Sequence, residues 1–378
     1  MSMLLGVLVL AGLAVIAVEC LARVHVRRSP YRILSPGRED LMQMDNETLP
    51  AVEPFVRYAI NRHGERGDER PSDPNAFRVL AAGGSATMCY FLDQHTAWPG
   101  ELQRLLQQHP ALAGRPVHVG NVGKSSVDSG SLELMRSRIL PQEPKLDVLL
   151  IMVGASDILR WLMIEAPVDR AVEANELDEC FDRHPEVRCG WHPKRWALAT
   201  LYRWRRDSKR TDRVNAGRRY ATARRMRANA LETRTRVPDS TVVIARFERC
   251  MRGLLEAARA RVEHVIVVRQ PWFDKSEYLP SELAQFWSGS VGDAYMQQAT
   301  IFYSPDVVAA LMRRIDECAA RVCLELGVPE VNLFPTLTSS NDNYCDQFHF
   351  TPAGSRIVAD AVFQKIVSFK ELLEVANS

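Results

Sequence analysis

The sequence predicts an α/β domain built on a parallel sheet of about five strands, behind an N-terminal transmembrane helix. Three observations carry this. Short apolar runs alternate with longer segments of helical period along most of the chain. One run, "LDVLLIMV" at 146–153, is apolar on both faces, as suits a central strand covered on both sides. Residues 3–18, "MLLGVLVLAGLAVIAV", are an uninterrupted apolar stretch. With 46% hydrophobic and 25% charged residues the composition is that of a globular chain, and a net charge of +2 advertises no nucleic-acid partner.

The elements follow in order. The apolar stretch exceeds the core of a signal peptide, typically about 7–15 residues, and is slightly short for a span of about 20. Glu19 and Cys20 interrupt it, and no small-x-small cleavage site follows. Residues 1–22 therefore read as a single membrane anchor, with a cleaved signal peptide as the alternative. Arg23, Arg27 and Arg28 come next, and the positive-inside rule would keep the body in the cytoplasm. That rule is weak for long domains. Residues 23–75, rich in Pro, Arg, Asp, Asn and Glu, read as a stalk and lead-in to a domain over 76–375.

Within that domain "FRVLAA" (77–82) is a strand bounded by glycine, and "HTAWPGELQRLLQQH" has helical spacing. "PVHVGNV" (116–122) is a second strand, and "SGSLELMRSRIL" (129–140) is a helix with a serine-rich start. After the central strand the rhythm breaks over an Arg-rich insertion, 158–238. Residues 194–236 carry fifteen Lys or Arg against three acidic residues. They read as solvated helices whose Trp196, Leu201, Tyr202 and Trp204 pack down on the body, or as a basic surface for anionic headgroups or an acidic glycan. The rhythm returns with a helix, "TVVIARFERCMRGLLEAARARV", and a strand, "EHVIVVRQP". The next helix has Ser304 and Pro305 at its start and Gly327 past its end. "PEVNLF" is a last strand, and Pro352 opens the closing helix.

In parallel α/β sheets the site lies beyond the carboxyl ends of the strands. Ser85 sits there, after the first strand, in "AAGGSATMCYFL". A serine nucleophile needs a base. His349 follows Asp346 by three residues in "CDQFHFTPAGSRIVAD", so a carboxylate can orient an imidazole that takes the serine proton. By itself this spacing also suits a capped turn with a surface histidine.

Four segments in order resemble the SGNH (GDSL-type) hydrolase superfamily of serine esterases and acyl-transfer enzymes: "VLAAGGSAT" with "TAWPGELQRLL", "HVGNVGKSSVDSG", "LLIMVGASDIL" and "DQFHFTPAGSRIVAD". "NRHGERGDE" (61–69) is similar to the N-x-x-G-x-R-G lead-in of its membrane-anchored bacterial members. The resemblance implies a three-layer, flavodoxin-like α/β/α fold and a serine hydrolase. Ser85 is then the nucleophile, His349 the base and Asp346 its orienting partner. The amides of Ser85 and Ser126 and the hydroxyl of Ser156 form the oxyanion hole. Gly84, Ser126 and Ser156 stand where the family usually has Asp, Gly and Asn.

Gln270 and Asp157 are candidates for the substrate cleft, Asp157 more as a loop anchor than a chemical group. No metal or organic cofactor is implied. The substrate expected is an O-acyl, in particular O-acetyl, group of an envelope glycan or lipid, in a periplasmic body. Acyl transfer to an envelope polymer, or a catalytically weak binding module, are the alternatives, and the oligomeric state stays open. Among eight cysteines, Cys180 and Cys189 bracket "FDRHPEVR" and could close a disulfide loop, or with His184 and His192 hold zinc. Cys89 and Cys345 read as packing residues, with a disulfide between them the lesser option.

Overall fold

A computed structural model describes residues 2–45, 49–208, 211–296 and 298–369. Helix α1 (Ser2–Arg27) is long and apolar enough to cross a membrane, as a signal sequence also can be. Strands β1 (Glu39–Met44) and β2 (Phe55–Ala59) follow and pair antiparallel. The residues read as a stalk, 23–75, are thus part of the body. Met42, Met44, Val56 and Tyr58 point inward and are buried, while the residues between them face out. Alternate apolar side chains at only two positions per strand are enough to bury one face of a short sheet, though too few to mark a strand in advance.

The main sheet begins with β3 (Phe77–Gly83), buried along its whole length. One turn of helix, α2 (Ser85–Met88), follows directly, then α3 (Trp98–Gln107), β4 (Val117–Asn121) and α4 (Ser129–Ile139). Central strand β5 (Val148–Met152) is buried throughout and leads into α5 (Ala155–Met163). The insertion therefore starts after Met163, not at 158. It holds α6 (Leu177–Cys180), α7 (Ala197–Ser208), β6 (Thr211–Ala216), α8 (Arg218–Ala228) and β7 (Glu232–Arg234). Strand β6 returns to pair with β1.

The closing half comprises α9 (Thr241–Arg259), β8 (His264–Val268), α10 (Pro280–Leu283), β9 (Ile301–Tyr303, paired with β7), α11 (Pro305–Leu326), β10 (Glu330–Val331) and α12 (Pro352–Val367). Helix α11 has the caps its sequence promises. Ser304 Oγ accepts from Val307 N, and Gly327 ends the helix in the left-handed conformation.

The five-stranded sheet is parallel in the order β10-β8-β5-β3-β4. Numbered along the sheet's own sequence, that is the flavodoxin-like order 2-1-3-4-5. The chain moves outward from β3 to β4, then reverses and crosses to β5. Right-handed crossovers put α3 on one face and α4 on the other. There α3 packs with α12, while α4 and α11 pack on α9, which completes three layers. The reversal leaves a crevice between the carboxyl ends of β3 and β5, the place where ligands bind in such sheets.

Candidate active site

Ser85 opens the helix after β3 and Ser156 is the second residue of the helix after β5, the two strands flanking that crevice. Gly83 makes the approach possible, since a Cβ there would lie 2.1 Å from the Met152 carbonyl oxygen. The next glycine, Gly84, brings both loops together, for a Cβ on it would sit 3.3 Å from Val127 O and 3.5 Å from Ser156 Oγ.

The third partner comes from the loop before α12. Asp346 is buried, and its Oδ1 accepts the backbone N–H groups of Phe348 (2.6 Å) and His349 (2.7 Å). Its Oδ2 lies 2.7 Å from His349 Nδ1. Both carboxylate oxygens are thereby engaged, and with Nδ1 held by Asp346 the imidazole has Nε2 left to act as base. Trp287 stacks along the ring (centroids 5.9 Å, 19° between planes) and Phe91 meets it edge-on at 5.4 Å. Ser85 and His349 line one narrow cavity, walled by Cys89, Tyr90, Phe91, Leu92 and Phe350.

The backbone N–H groups of Ser85 and Ser126 make no hydrogen bond among the described residues, so both are free to donate. Ser126 has φ +62°, the left-handed conformation, which costs a residue with a side chain about 1–2 kcal/mol. The serine thus holds, at some strain, a backbone shape that glycine adopts freely. Ser156 is half-buried beside Gly84.

Neither Gln270 nor Asp157 lines the cavity of Ser85 and His349. Gln270 Oε1 accepts the N–H of Ala155 at 3.1 Å and so fixes the start of α5. Asp157 is buried away from the cleft, accepting from Ser129 N and Oγ and pairing with Arg246 at 3.3 Å. Burial, and then the charge of Asp128, push its carboxyl up to about 7. Cys180 and Cys189 form no disulfide; both thiols are free. The loop between them does not bring the sulfurs together, because Cys180 sits in the main core while Cys189 packs on the end of α1. His184 is taken by Asp178 at 2.7 Å. Among the described residues no three His, Cys, Asp or Glu side chains gather as a metal set. Cys89 and Cys345 are likewise free, and burial raises both thiols, Cys89 to about 12.

Several site residues carry no signal of their own in the sequence. Helix α2 is so short that its last carbonyls need outside donors. Asn121 Nδ2 takes Thr87 O at 2.8 Å, and Arg66 Nη1 takes Met88 O at 2.7 Å and Cys89 O at 2.8 Å. Arg66 is buried with its guanidinium 4.6 Å from the Tyr58 ring centroid. The lead-in motif contained this arginine without revealing what it holds. The insertion also reaches the site. Tyr220 of α8 packs edge-on to Phe91 at 4.7 Å, and Arg224 Nη2 donates to Cys345 O at 3.1 Å, next to Asp346. Helix α8 therefore packs one face behind the site, on Phe91 and the Cys345 carbonyl, while Arg219 and Arg225 stay exposed.

The architecture and these side chains define a parallel α/β protein with a serine, a carboxylate-held histidine and two unpaired amides at the carboxyl edge of its sheet. No known family's sequence profile matches the chain. No curated protein matches it in sequence. Solved structures do resemble it distantly. An acetylxylan esterase from Geobacillus stearothermophilus is 14% identical, covers 78% of this chain and 96% of its own, with a TM-score of 0.42. An alpha/beta hydrolase enzyme from the metagenome of Lake Arreo, Spain, is 12% identical over 77% of this chain and 96% of its own, at 0.43. A G-D-S-L family lipolytic protein from Desulfitobacterium hafniense is 11% identical over 76% of this chain and 98% of its own, at 0.39. At such distances, function rests on the site's own chemistry.

Proposed function

We propose that this chain is a membrane-anchored serine esterase of the SGNH class, removing short acyl groups, acetyl foremost, from an envelope glycan or lipid on the periplasmic side. The observation that carries the reading is the shared cavity of Ser85 and His349, with Nδ1 of the histidine held by Asp346. Ser85 Oγ attacks the ester carbonyl as His349 Nε2 accepts its proton. The carbonyl oxygen, now negative, takes hydrogen bonds from the free amides of Ser85 and Ser126 and from Ser156 Oγ. Collapse expels the alcohol, which receives the proton from His349. Water, or an acceptor hydroxyl in a transferase, then repeats the steps on the acyl-serine. The narrowness of the cavity between Tyr90, Phe91 and Phe350 favours a short acyl group.

A second reading, a catalytically weak domain that binds acylated polymer, is favoured by the serines at positions 126 and 156. A fluorophosphonate probe separates the two, because it labels quickly only an activated serine. Rapid labelling, lost in Ser85→Ala with the melting temperature retained, is expected, together with faster cleavage of acetyl than of longer esters. Undiminished labelling of Ser85→Ala would remove Ser85 from the mechanism.

A further inference from the structure

Helix α1 has two different halves. Leu4 to Val18 is exposed around the helix, as a lipid-facing segment must be. From Glu19 onward one face is docked on the body. Glu19 is 1% exposed, and it accepts the N–H groups of Ala197 (2.9 Å) and Leu198 (3.1 Å) through its two oxygens. It thus fills the capping role at the N-terminus of α7 and complements the positive end of that helix. Ala22, Val26 and Ala197 form a small apolar cluster with Leu201 and Trp204 around it. Arg23 donates to Gly190 O at 2.6 Å and lies 4.3 Å over the Trp191 ring.

The depth of α7 follows from length. Residues 4–18 supply roughly 22 Å at about 1.5 Å per residue. The hydrocarbon core is about 30 Å thick. The remainder has to come from the next two turns, and their outer face is apolar and exposed at Leu21 and Val24. Those are the turns whose inner face α7 covers, which brings α7 to the level of the headgroups. Its outward side suits that level. Trp191 and Tyr202 are exposed, the side chains that favour membrane interfaces. Around them Arg188, Arg195, Arg203 and Arg205 are exposed.

We propose that α7 and the turn before it, residues 188–206, lie on the surface of the membrane that α1 crosses and bind its anionic phospholipid headgroups. The proposal rests on α1 being a retained span, and the test separates the two. The full chain is reconstituted in vesicles of phosphatidylcholine alone or mixed with phosphatidylglycerol, washed in alkaline carbonate, and followed by backbone hydrogen exchange. The protein stays with both vesicles, and exchange over 188–206 slows by about tenfold with phosphatidylglycerol, since each cation near an anionic surface adds to the attraction. The triple variant Arg203→Glu, Arg205→Glu, Arg206→Glu, at unchanged melting temperature, loses that difference. Equal exchange on the two lipids in washed, retained protein overturns the proposal and leaves the span standing. Release by carbonate overturns the span and the proposal with it. Protection in detergent by polygalacturonate, with none from phosphatidylglycerol, assigns the surface to an acidic glycan and overturns the lipid.

Discussion

Ser156 Oγ lies 3.5 Å from where a Cβ on Gly84 would sit, beside the turn that carries Ser85. If it donates to the oxyanion, Ser156→Ala lowers kcat by about tenfold to a thousandfold with little change in KM, because the bond forms mainly in the transition state. Ser156→Asn should restore or raise turnover. Unchanged kcat in Ser156→Ala leaves the two backbone amides alone in that role. Arg66 acts one step further out, as a positioning residue that holds the α2 carbonyls. Arg66→Ala leaves the Met88 and Leu92 carbonyls without their donor, at roughly 1–3 kcal/mol each, while Cys89 O keeps the Leu92 N–H. Arg66→Lys keeps the charge but loses the fork that spans two oxygens. A purely structural role would lower the melting temperature of both and spare kcat in the folded fraction. A positioning role lowers kcat at constant KM and orders the variants wild type, Lys, Ala. The order of the four resembling segments, rather than spacing, singled out Ser85, Asp346 and His349 together. It could not reveal Arg66, since a guanidinium bound to carbonyls has no partner side chain to be read beside it.

Among the elements, α4, α5 and α9 are stapled by one buried charge network. Asp128 caps α4 by accepting Ser131 N at 2.8 Å, and pairs with Arg160 of α5 (2.6 Å) and Arg246 of α9 (3.2 Å). Asp157 of α5 pairs with Arg246 at 3.3 Å and accepts from Ser129, and its burial, with the charge of Asp128 beside it, raises its carboxyl. Its folded value near 7 lies above the unfolded value of about 3.9. Between the two the folded state binds more protons than the unfolded, so this group's contribution to stability falls as pH rises from about 4 to 7. Asp157→Asn should flatten that slope in urea unfolding, and an unchanged slope would mean the carboxyl is ionised throughout. The same elements show what sequence patterning can reach. Helices α9 and α11 bury long apolar stripes and are read directly. Strands β1 and β2 bury so few side chains that their sheet is visible only once β6 pairs with them from the far side of the insertion. Tyr220 and Arg224 were hidden for a related reason: in a stretch dominated by arginine, the few residues that turn inward do not set a period.

For the whole molecule, with α1 as the proposed span, flanking charge and domain length point the body to opposite sides. Arg27 ends α1 and Arg28 follows it, both exposed, and the 188–206 region packs on the last turns of the same helix through Arg23 and Val26. Counted as a short flank, these charges favour the cytoplasm. Yet the segment after α1 is a folded body of several hundred residues, and long domains translocate largely regardless of flanking charge. The thiols do not oppose export. Most are buried, and Cys180 and Cys189 belong to separate apolar clusters, so an oxidising compartment finds no pair to close there. On the proposed substrate the body is expected outside the cytoplasm, where an O-acylated envelope glycan is met. Alkaline phosphatase fused after Ser378 should be active, and green fluorescent protein at the same site dark. Mass spectrometry of the exported chain, denatured in alkylating agent without reductant, should find Cys180 and Cys189 both alkylated. The opposite reporter pattern would place the body in the cytoplasm, where the flank obeys its rule and an envelope glycan is out of reach. The esterase would then have to act on a lipid or precursor of that leaflet, with Ser85 and His349 unchanged in their roles.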